Sequence, residues 1–162
     1  MFREMRRCKQ LLPQETAVEI LNRNTAGTLA LLGDDDYPYA VPMSYVYLDG
    51  KLYFHSARTG HKIDAVKKQE KASFCVIDQD QVVPEKYTTY FRSVIAFGKI
   101  HLVEDVSEMR RIAAALAMKY ASAFQEGIPK EIESSIKNMA IMEMVIEHMT
   151  AKEAIELIKE GK

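Results

Sequence analysis

Hydrophobic positions recur at helical spacing over the first twenty-odd residues, then give way to short β-branched and aromatic runs separated by breakers. Pro13 at a first-turn position, Glu15, and the stripe Ala17, Ile20 and Leu21 predict a short helix ending near "NRNTAG". The runs "TLALLG" and "YAVPMSYVYL", on either side of the polar turn "DDDYP", predict strands. Asp49-Gly50 is the strongest local signal, because a two-residue hairpin turn needs positive φ at both positions and Asp-Gly adopts it at little steric cost. The register it sets puts Leu48 opposite Lys51. It then pairs Tyr47 with Leu52, Tyr45 with Phe54 and Met43 with Ser56 on one face, and Val46 with Tyr53, Ser44 with His55 and Pro42 with Ala57 on the other. Pro42 has no ladder N–H to give, so the hairpin is expected to open there, beside Ala57.

A helix is predicted at 60–68 with Ile63 and Val66 inward, then a strand "ASFCVI" and a loop "DQDQVVPEKY". The run "TTYFRSVIAFGKIHLV" is long enough for one bent strand or two, with Gly98 as the bend. Met109, Ile112, Ala113, Leu116, Ala117 and Tyr120 form a helical stripe, for which Asp105 and Glu108 supply a capping box. "AFQEGIP" ends that helix, a second follows at about 130–138, and "MAIMEMVIEHM" alternates as a last strand. The sum is a mainly β chain of six mostly antiparallel strands with flanking helices. That set closes more naturally into a barrel than into a doubly wound sheet, within a single domain over 1–162.

Composition narrows the partners. The 22 basic and 23 acidic residues nearly cancel, so no overall field favours nucleic acid. Cys8 and Cys75 have neither C-x-x-C spacing nor a histidine at ligand spacing, which points away from zinc and disulfides and toward a reducing, cytoplasmic setting. The basic start "MFREMRRCK" leads into no apolar h-region, and no run approaches the ~20 apolar residues of a membrane span. A soluble, unsecreted protein is expected. Hydrolase, zinc-protease and P-loop motifs are absent, and Asp34, Asp35 and Asp36 lack EF-hand spacing and read as a polar turn.

Candidate chemistry concentrates in "HSARTGHKIDAVKK", residues 55–68, where a strand run meets a helix run. With Thr59 as N-cap, the amides of Gly60, His61 and Lys62 would point out of the helix start at the positive end of its dipole, a geometry that holds phosphate. Lys62 adds a charge, Ser56 and Thr59 add hydroxyls, and Gly60 permits close approach. An ordinary helix start with a solvated Lys62 satisfies the same residues. A phosphorylated ligand seated there would run its body past Ala57, His55 and the backbone of Val41, Pro42 and Met43. His55 also fits a half-buried histidine bonded to Ser44. His101 and His148 read as surface or packing residues, the basic residues at 3–9 as a solvated terminus, and the methionines of "MAIMEM" as packing.

The order "GTLAL", "YPYAVPMSYVY", "KLYFHSARTGHKIDAV", "YTTYFRSVIAFGK" resembles the pyridoxamine 5'-phosphate oxidase-like FMN-binding split barrels, in particular their nitroimidazole-resistance branch. The resemblance covers residues 1–150 and is most specific in the F-H-S-A-x-x-G-H-K run. It implies a homodimer with FMN at the subunit interface. His61 and Lys62, helped by Ser56, would clasp the phosphate, while Val41, Pro42, Met43 and Ala57 line the ring. His55 would stand near the flavin as proton donor or substrate contact, and Arg92 and Ser93 would reach the cofactor from the second subunit. In the oxidases proper an arginine stands where His61 is, so less permanent charge faces the phosphate here. The pyridoxal-binding residues of those oxidases have no match. The implied activity is an FMN-dependent oxidoreductase that passes electrons from a reduced nicotinamide or other donor to a small oxidised substrate such as a nitroaromatic. A flavin carrier or sensor without turnover, or a relative holding haem or a deazaflavin, fits the same residues.

Overall fold

The computed structural model describes residues 1–160, the side chains of 159 and 160 excepted. In chain order the elements are α1 (Gln14–Arg23), β1 (Ala26–Leu32), β2 (Pro38–Ser44), β3 (Val46–Leu48), β4 (Lys51–Ala57), α2 (His61–Lys68), β5 (Lys71–Val83), β6 (Thr88–Leu102), α3 (Val106–Ala121), α4 (Ile128–Ser135), β7 (Met139–Glu153) and α5 (Ile155–Glu160). The strands form one antiparallel sheet in the order β2-β1-β5-β6-β7-β4-β3. Its two outermost strands, β2 and β3, are consecutive in the chain, so the sheet curls until its ends meet: a split barrel. Leu29, Phe54, Phe74, Val76, Val94 and Met142 fill the interior, with Ala17, Ile20 and Leu21 of α1 packed into the same cluster. A second core lies outside the barrel, where Tyr53 and Ile141 meet Ile112, Leu116 and Ile132 of the α3–α4 pair.

Seven strands stand where six are expected, because the run from Pro38 to Leu48 breaks at Tyr45. That residue is fully buried, and its phenol donates to the Leu21 carbonyl at 2.7 Å. Its backbone is taken by a side chain rather than by a strand: the Tyr45 amide donates to the Tyr120 hydroxyl at 2.8 Å, and that hydroxyl lies 2.9 Å from the Tyr45 carbonyl oxygen. The predicted hairpin register therefore holds for Leu48–Lys51, Tyr47–Leu52 and Val46–Tyr53 and then stops. Ser44, Met43 and Pro42 pair instead with Ala26, Gly27 and Thr28 of β1. The hairpin opens at Tyr45, three residues nearer the turn than Pro42, since β2 has to leave β4 to close the other edge of the barrel. Asp49 and Gly50 both take positive φ, as the turn requires.

Three further expectations are corrected. "DQDQVVPEKY" is mostly strand: β5 runs on to Val83 and returns into β6 through a tight turn. A bulge makes this possible by leaving Asp78 without a cross-strand partner between Ile77 and Gln79. The bulge aims the Asp78 carboxylate at α1, where it accepts from Arg23 Nε at 2.7 Å, Asn24 Nδ2 at 2.8 Å and Arg92 Nη1 at 3.3 Å. Thr59 is not the N-cap of α2, because the position belongs to Gly60 at φ 123° and ψ 170°, a conformation that side-chain-bearing residues rarely adopt. The capping box is half formed. Asp105 accepts from the Glu108 amide at 2.7 Å, but the Glu108 carboxylate turns to Arg111. Gly98 does mark a bend, with the β6–β7 register shifting between Phe97 and Gly98 in one continuous strand. Among the described residues no helix is long and apolar enough to cross a membrane.

Candidate functional site

Strand β4 ends at Ala57, and the chain passes through Arg58 and Thr59 into Gly60. The first helical bonds of α2 run from the Ile63 and Asp64 amides to the Gly60 carbonyl, so the amides of His61 and Lys62 precede the hydrogen-bonded ladder. A Cβ built on Gly60 would meet nothing within 4 Å. The helix start thus presents free donors to open space, with the positive dipole end behind them. Lys62 is partly buried and makes no ion pair among the described residues. Asp64 is the acidic group of the first turn.

The His61 side chain folds back instead of reaching forward. Its ring stacks on Tyr39 of β2, with centroids 4.1 Å apart and planes at 17°, and Nε2 accepts from the Asp34 amide at 3.3 Å. The Asp34 carboxylate lies 3.8 Å from the same nitrogen. These contacts tie the start of α2 to the β1–β2 connection. From Tyr39, β2 leads directly to Val41, Pro42 and Met43. Met43 is buried and Val41 packs against the barrel core, while Pro42 points outward and is exposed. Because β2 has β1 as its ladder partner and leaves β4 at Tyr45, its other edge carries backbone groups without a ladder.

His55 sits on the outer face of β4, level with Ile141 of β7. It lines a groove of about 510 Å³ beneath α3 and α4, between Ser44 and Tyr120 on one side and Leu116, Ile132 and Met139 on the other. The ring is exposed and makes no hydrogen bond to Ser44. Ser56 lies on the opposite face of the strand, its hydroxyl donating to the Ala57 carbonyl at 2.8 Å. Val41, Pro42 and Met43 thus lie on β2 and His55, Ser56 and Ala57 on β4, with His61 and Lys62 at the start of the helix that follows β4. Sequence reasoning missed Tyr120, which closes the groove by clamping Tyr45; its place on the helical stripe disguised it as a core residue.

Arg92 and Ser93 lie elsewhere in the same chain. Ser93 pairs with Lys152, whereas His55 pairs with Ile141, so the two stand at opposite ends of β7. Arg92 is engaged within the chain, bonding Glu153 Oε2 at 3.0 Å as well as Asp78. Two guanidiniums and one side-chain amide hold the Asp78 carboxyl at about 2, well below its usual range, with Arg23 the largest cause.

The outer face of the sheet has an unusual composition. Cross-strand partners share a face, so Pro42, Thr28, Cys75, Ile95 and Thr150 form one row across β2, β1, β5, β6 and β7. Ala40, Ala30, Ser73, Phe97 and His148 form the next. Neither row contains Asp, Glu, Lys or Arg, and Ile95 and Phe97 are exposed.

Comparison with known proteins agrees with this architecture. The sequence model of the family described as pyridoxamine 5'-phosphate oxidase matches residues 13–153. No match was found among curated protein sequences. Among solved structures, the conserved hypothetical protein Rv2991 from Mycobacterium tuberculosis is 18% identical with a TM-score of 0.82, covering 95% of this chain and 92% of that one. A candidate 5-nitroimidazole antibiotic resistance protein from Bacteroides thetaiotaomicron is 19% identical with a TM-score of 0.72, covering 88% and 85%. An FAD-binding protein from Mesorhizobium loti is 22% identical with a TM-score of 0.64, covering 90% and 97%. At these identities the likeness is one of fold.

Proposed function

Since this chain belongs to the pyridoxamine 5'-phosphate oxidase family, we propose that it is a flavin-dependent oxidoreductase acting on a small oxidised substrate such as a nitroaromatic. The observation that carries the reading is the open, glycine-led start of α2 with Lys62 beside it, next to the unladdered edge of β2. The residues fit the 5'-phosphate of a flavin, FMN being the smallest that carries one. The amides of His61 and Lys62 supply donors, and the Lys62 ammonium supplies charge. The β2 edge at Val41 to Met43 offers backbone donors and acceptors to the polar rim of a flat ring, and Pro42 offers an apolar face. The FAD-binding protein with the same fold supports the assignment of the cofactor class.

A bound flavin supplies the electron or hydride transfer. The chain supplies the rest. The groove beneath α3 and α4 has an apolar wall at Leu116, Ile132 and Met139, with Ser44, Tyr120, Glu131 and Ser135 as polar groups beside His55, and its size and apolar wall suit a small aromatic substrate. His55 projects into it with no competing hydrogen bond, holding a proton on an imidazole nitrogen for an oxygen whose basicity rises as the substrate is reduced.

The working unit is a homodimer in this reading. The two uncharged rows of the outer sheet face begin at Ala40 and Pro42, beside the ring platform, and a second copy laid there would bury Ile95 and Phe97. Ser93, which is remote from His55 in its own chain, lies on that same face together with exposed Ile77. In this reading a second subunit would bring its Ser93 to the cofactor, while Arg92, on the opposite face of β6, stays engaged with Asp78 and Glu153.

The test is an absorbance spectrum of purified protein titrated with FMN and then, without oxygen, with NADH or NADPH. Bands at about 375 and about 450 nm that shift on binding and bleach on adding donor are expected of a reducible bound flavin. Binding without reduction would replace the reductase by a flavin carrier, and absence of saturable binding would refute the assignment. His55→Ala is expected to lower nitroaromatic turnover by roughly 10²-fold while leaving flavin affinity within about threefold.

A further inference from the structure

Ahead of α1 the chain makes a single 3₁₀ turn at Cys8–Gln10, in which the Gln10 and Leu11 amides donate to the Arg7 and Cys8 carbonyls. Past the turn the backbone is pinned along the end of β7: Leu11 bridges Lys152, and the Leu12 amide donates to the Ala151 carbonyl at 3.0 Å. α5 packs back against the turn. The Gln10 side chain is left 3% exposed by this packing. Its Oε1 is the one buried side-chain oxygen or nitrogen among the described residues that has no hydrogen-bond partner. A buried amide oxygen without a donor costs free energy, which a donor arriving from outside recovers.

Gln10 lines a cavity of about 350 Å³ together with Arg6, Arg7, Cys8, Lys9 and Ile155. Every charged residue of that lining is a cation, so the local field draws anions toward it. Cys8 is free and exposed. The other thiol differs: Cys75 is half-buried on β5, and burial pushes it up, away from the reactive thiolate. The cavity therefore joins an accessible sulfur nucleophile, a basic lining and an acceptor in want of an N–H.

We infer that Cys8 is a modification site, which takes up one half of a small anionic peptide disulfide as a mixed disulfide held in this cavity. The Cys8 thiolate attacks one sulfur of the reagent, and a new S–S bond forms as the old one breaks. Cys8 and the retained sulfur end in the new disulfide, while the departing half leaves as a thiolate and is the group reduced. The proton that Cys8 gave to solvent is balanced by the one the departing thiolate takes up. Carboxylates of the retained half meet the basic lining, and a peptide N–H of it donates to Gln10 Oε1. The volume falls within the ~300–1,000 Å³ typical of organic ligands. Other thiols reverse such a cap, so the modification follows the redox state around the protein. None of these residues belongs to the proposed flavin site, and the inference does not depend on it.

The test uses the reduced protein and three reagents: glutathione disulfide, which is anionic, hydroxyethyl disulfide, which is neutral, and cystamine, which is cationic. Adducts are timed and located by mass spectrometry of the intact chain and its peptides, and each rate is divided by that of N-acetylcysteine with the same reagent. A single adduct at Cys8 is expected, with a normalised rate about tenfold higher for glutathione disulfide than for cystamine. An Arg6→Ala/Arg7→Ala double variant, altered at two exposed positions, should lose that preference. Gln10→Leu should react with hydroxyethyl disulfide as the wild type does, yet hold its glutathione adduct about fivefold less tightly against reduction in a glutathione redox buffer. Equal normalised rates for the anionic and cationic reagents, modification of Cys75 as fast as of Cys8, or a Gln10→Leu adduct as resistant to reduction as the wild type's would overturn the inference. Should Gln10→Leu fail to fold, the wild-type charge preference and its loss in the arginine variant decide alone.

Discussion

Replacing Asp78 by Asn separates the contribution of a single charge from that of the barrel around it. Asp78 is the bulge residue of β5, its side chain is 7% exposed, and it joins α1, β5 and β6 through Arg23, Asn24 and Arg92. Its carboxyl is lowered from 3.8 to about 2 in the folded chain, chiefly by the Arg23 bond. A depressed carboxyl contributes stability above its unfolded pKa and loses it as pH falls through the folded value. Near neutral pH this shift corresponds to about 2 kcal/mol, of which roughly half remains at about pH 3 and little at about pH 2. Arg23 is 45% exposed and can rehydrate, and Arg92 keeps Glu153, so the variant leaves no stranded buried cation to enlarge the loss. Asp78→Asn should then cost about 2 kcal/mol near pH 7, roughly 4–8 °C in Tm for a chain of this length. Urea unfolding of both proteins near pH 7 and near pH 3 measures it, because in the difference all other titrating groups cancel. A gap of the same size at both pH values, or one below about 0.5 kcal/mol near neutrality, would refute the reasoning.

Tyr120→Phe removes the hydroxyl that serves the Tyr45 amide and the Thr25 carbonyl, and should cost about 1–3 kcal/mol while loosening the His55 groove; amide exchange at Tyr45 reads it directly. Gly98→Ala should be more damaging than an ordinary strand substitution, by several kcal/mol or failure to fold, because the new methyl would overlap the Val145 carbonyl across the β6–β7 bulge; soluble yield and Tm report it. Lys62→Ala should raise flavin Kd about tenfold or more with no change in Tm of the flavin-free protein, since the ammonium makes no ion pair among the described residues.

Much of this protein is legible in its sequence because the relevant physics is local. Asp49-Gly50 turns the β3–β4 hairpin through its own φ preferences, and the period of the α3 stripe buries Met109, Ile112, Ala113 and Leu116 whatever lies opposite. The helix start at Gly60 to Lys62 is likewise a property of adjacent residues, and so are the donors on which the proposed anion site rests. What the tertiary structure alone decided depends on groups distant in the chain. The break at Tyr45 requires a phenol seventy-five residues away, and it converts a long hairpin into the two edges that close the barrel. A run as polar as "DQDQVV" becomes strand because the Asp78 bulge finds Arg23 and Asn24 on α1, more than fifty residues earlier. A cavity of about 610 Å³ beside α2 gathers Arg58, Lys67 and Lys137 from segments that only the β4–β7 pairing brings together. Local chemistry determined the hairpin turn, the α3 stripe and the α2 start at which a phosphate is proposed to sit; long-range pairing determined where the strands break and what lies on either side of that start.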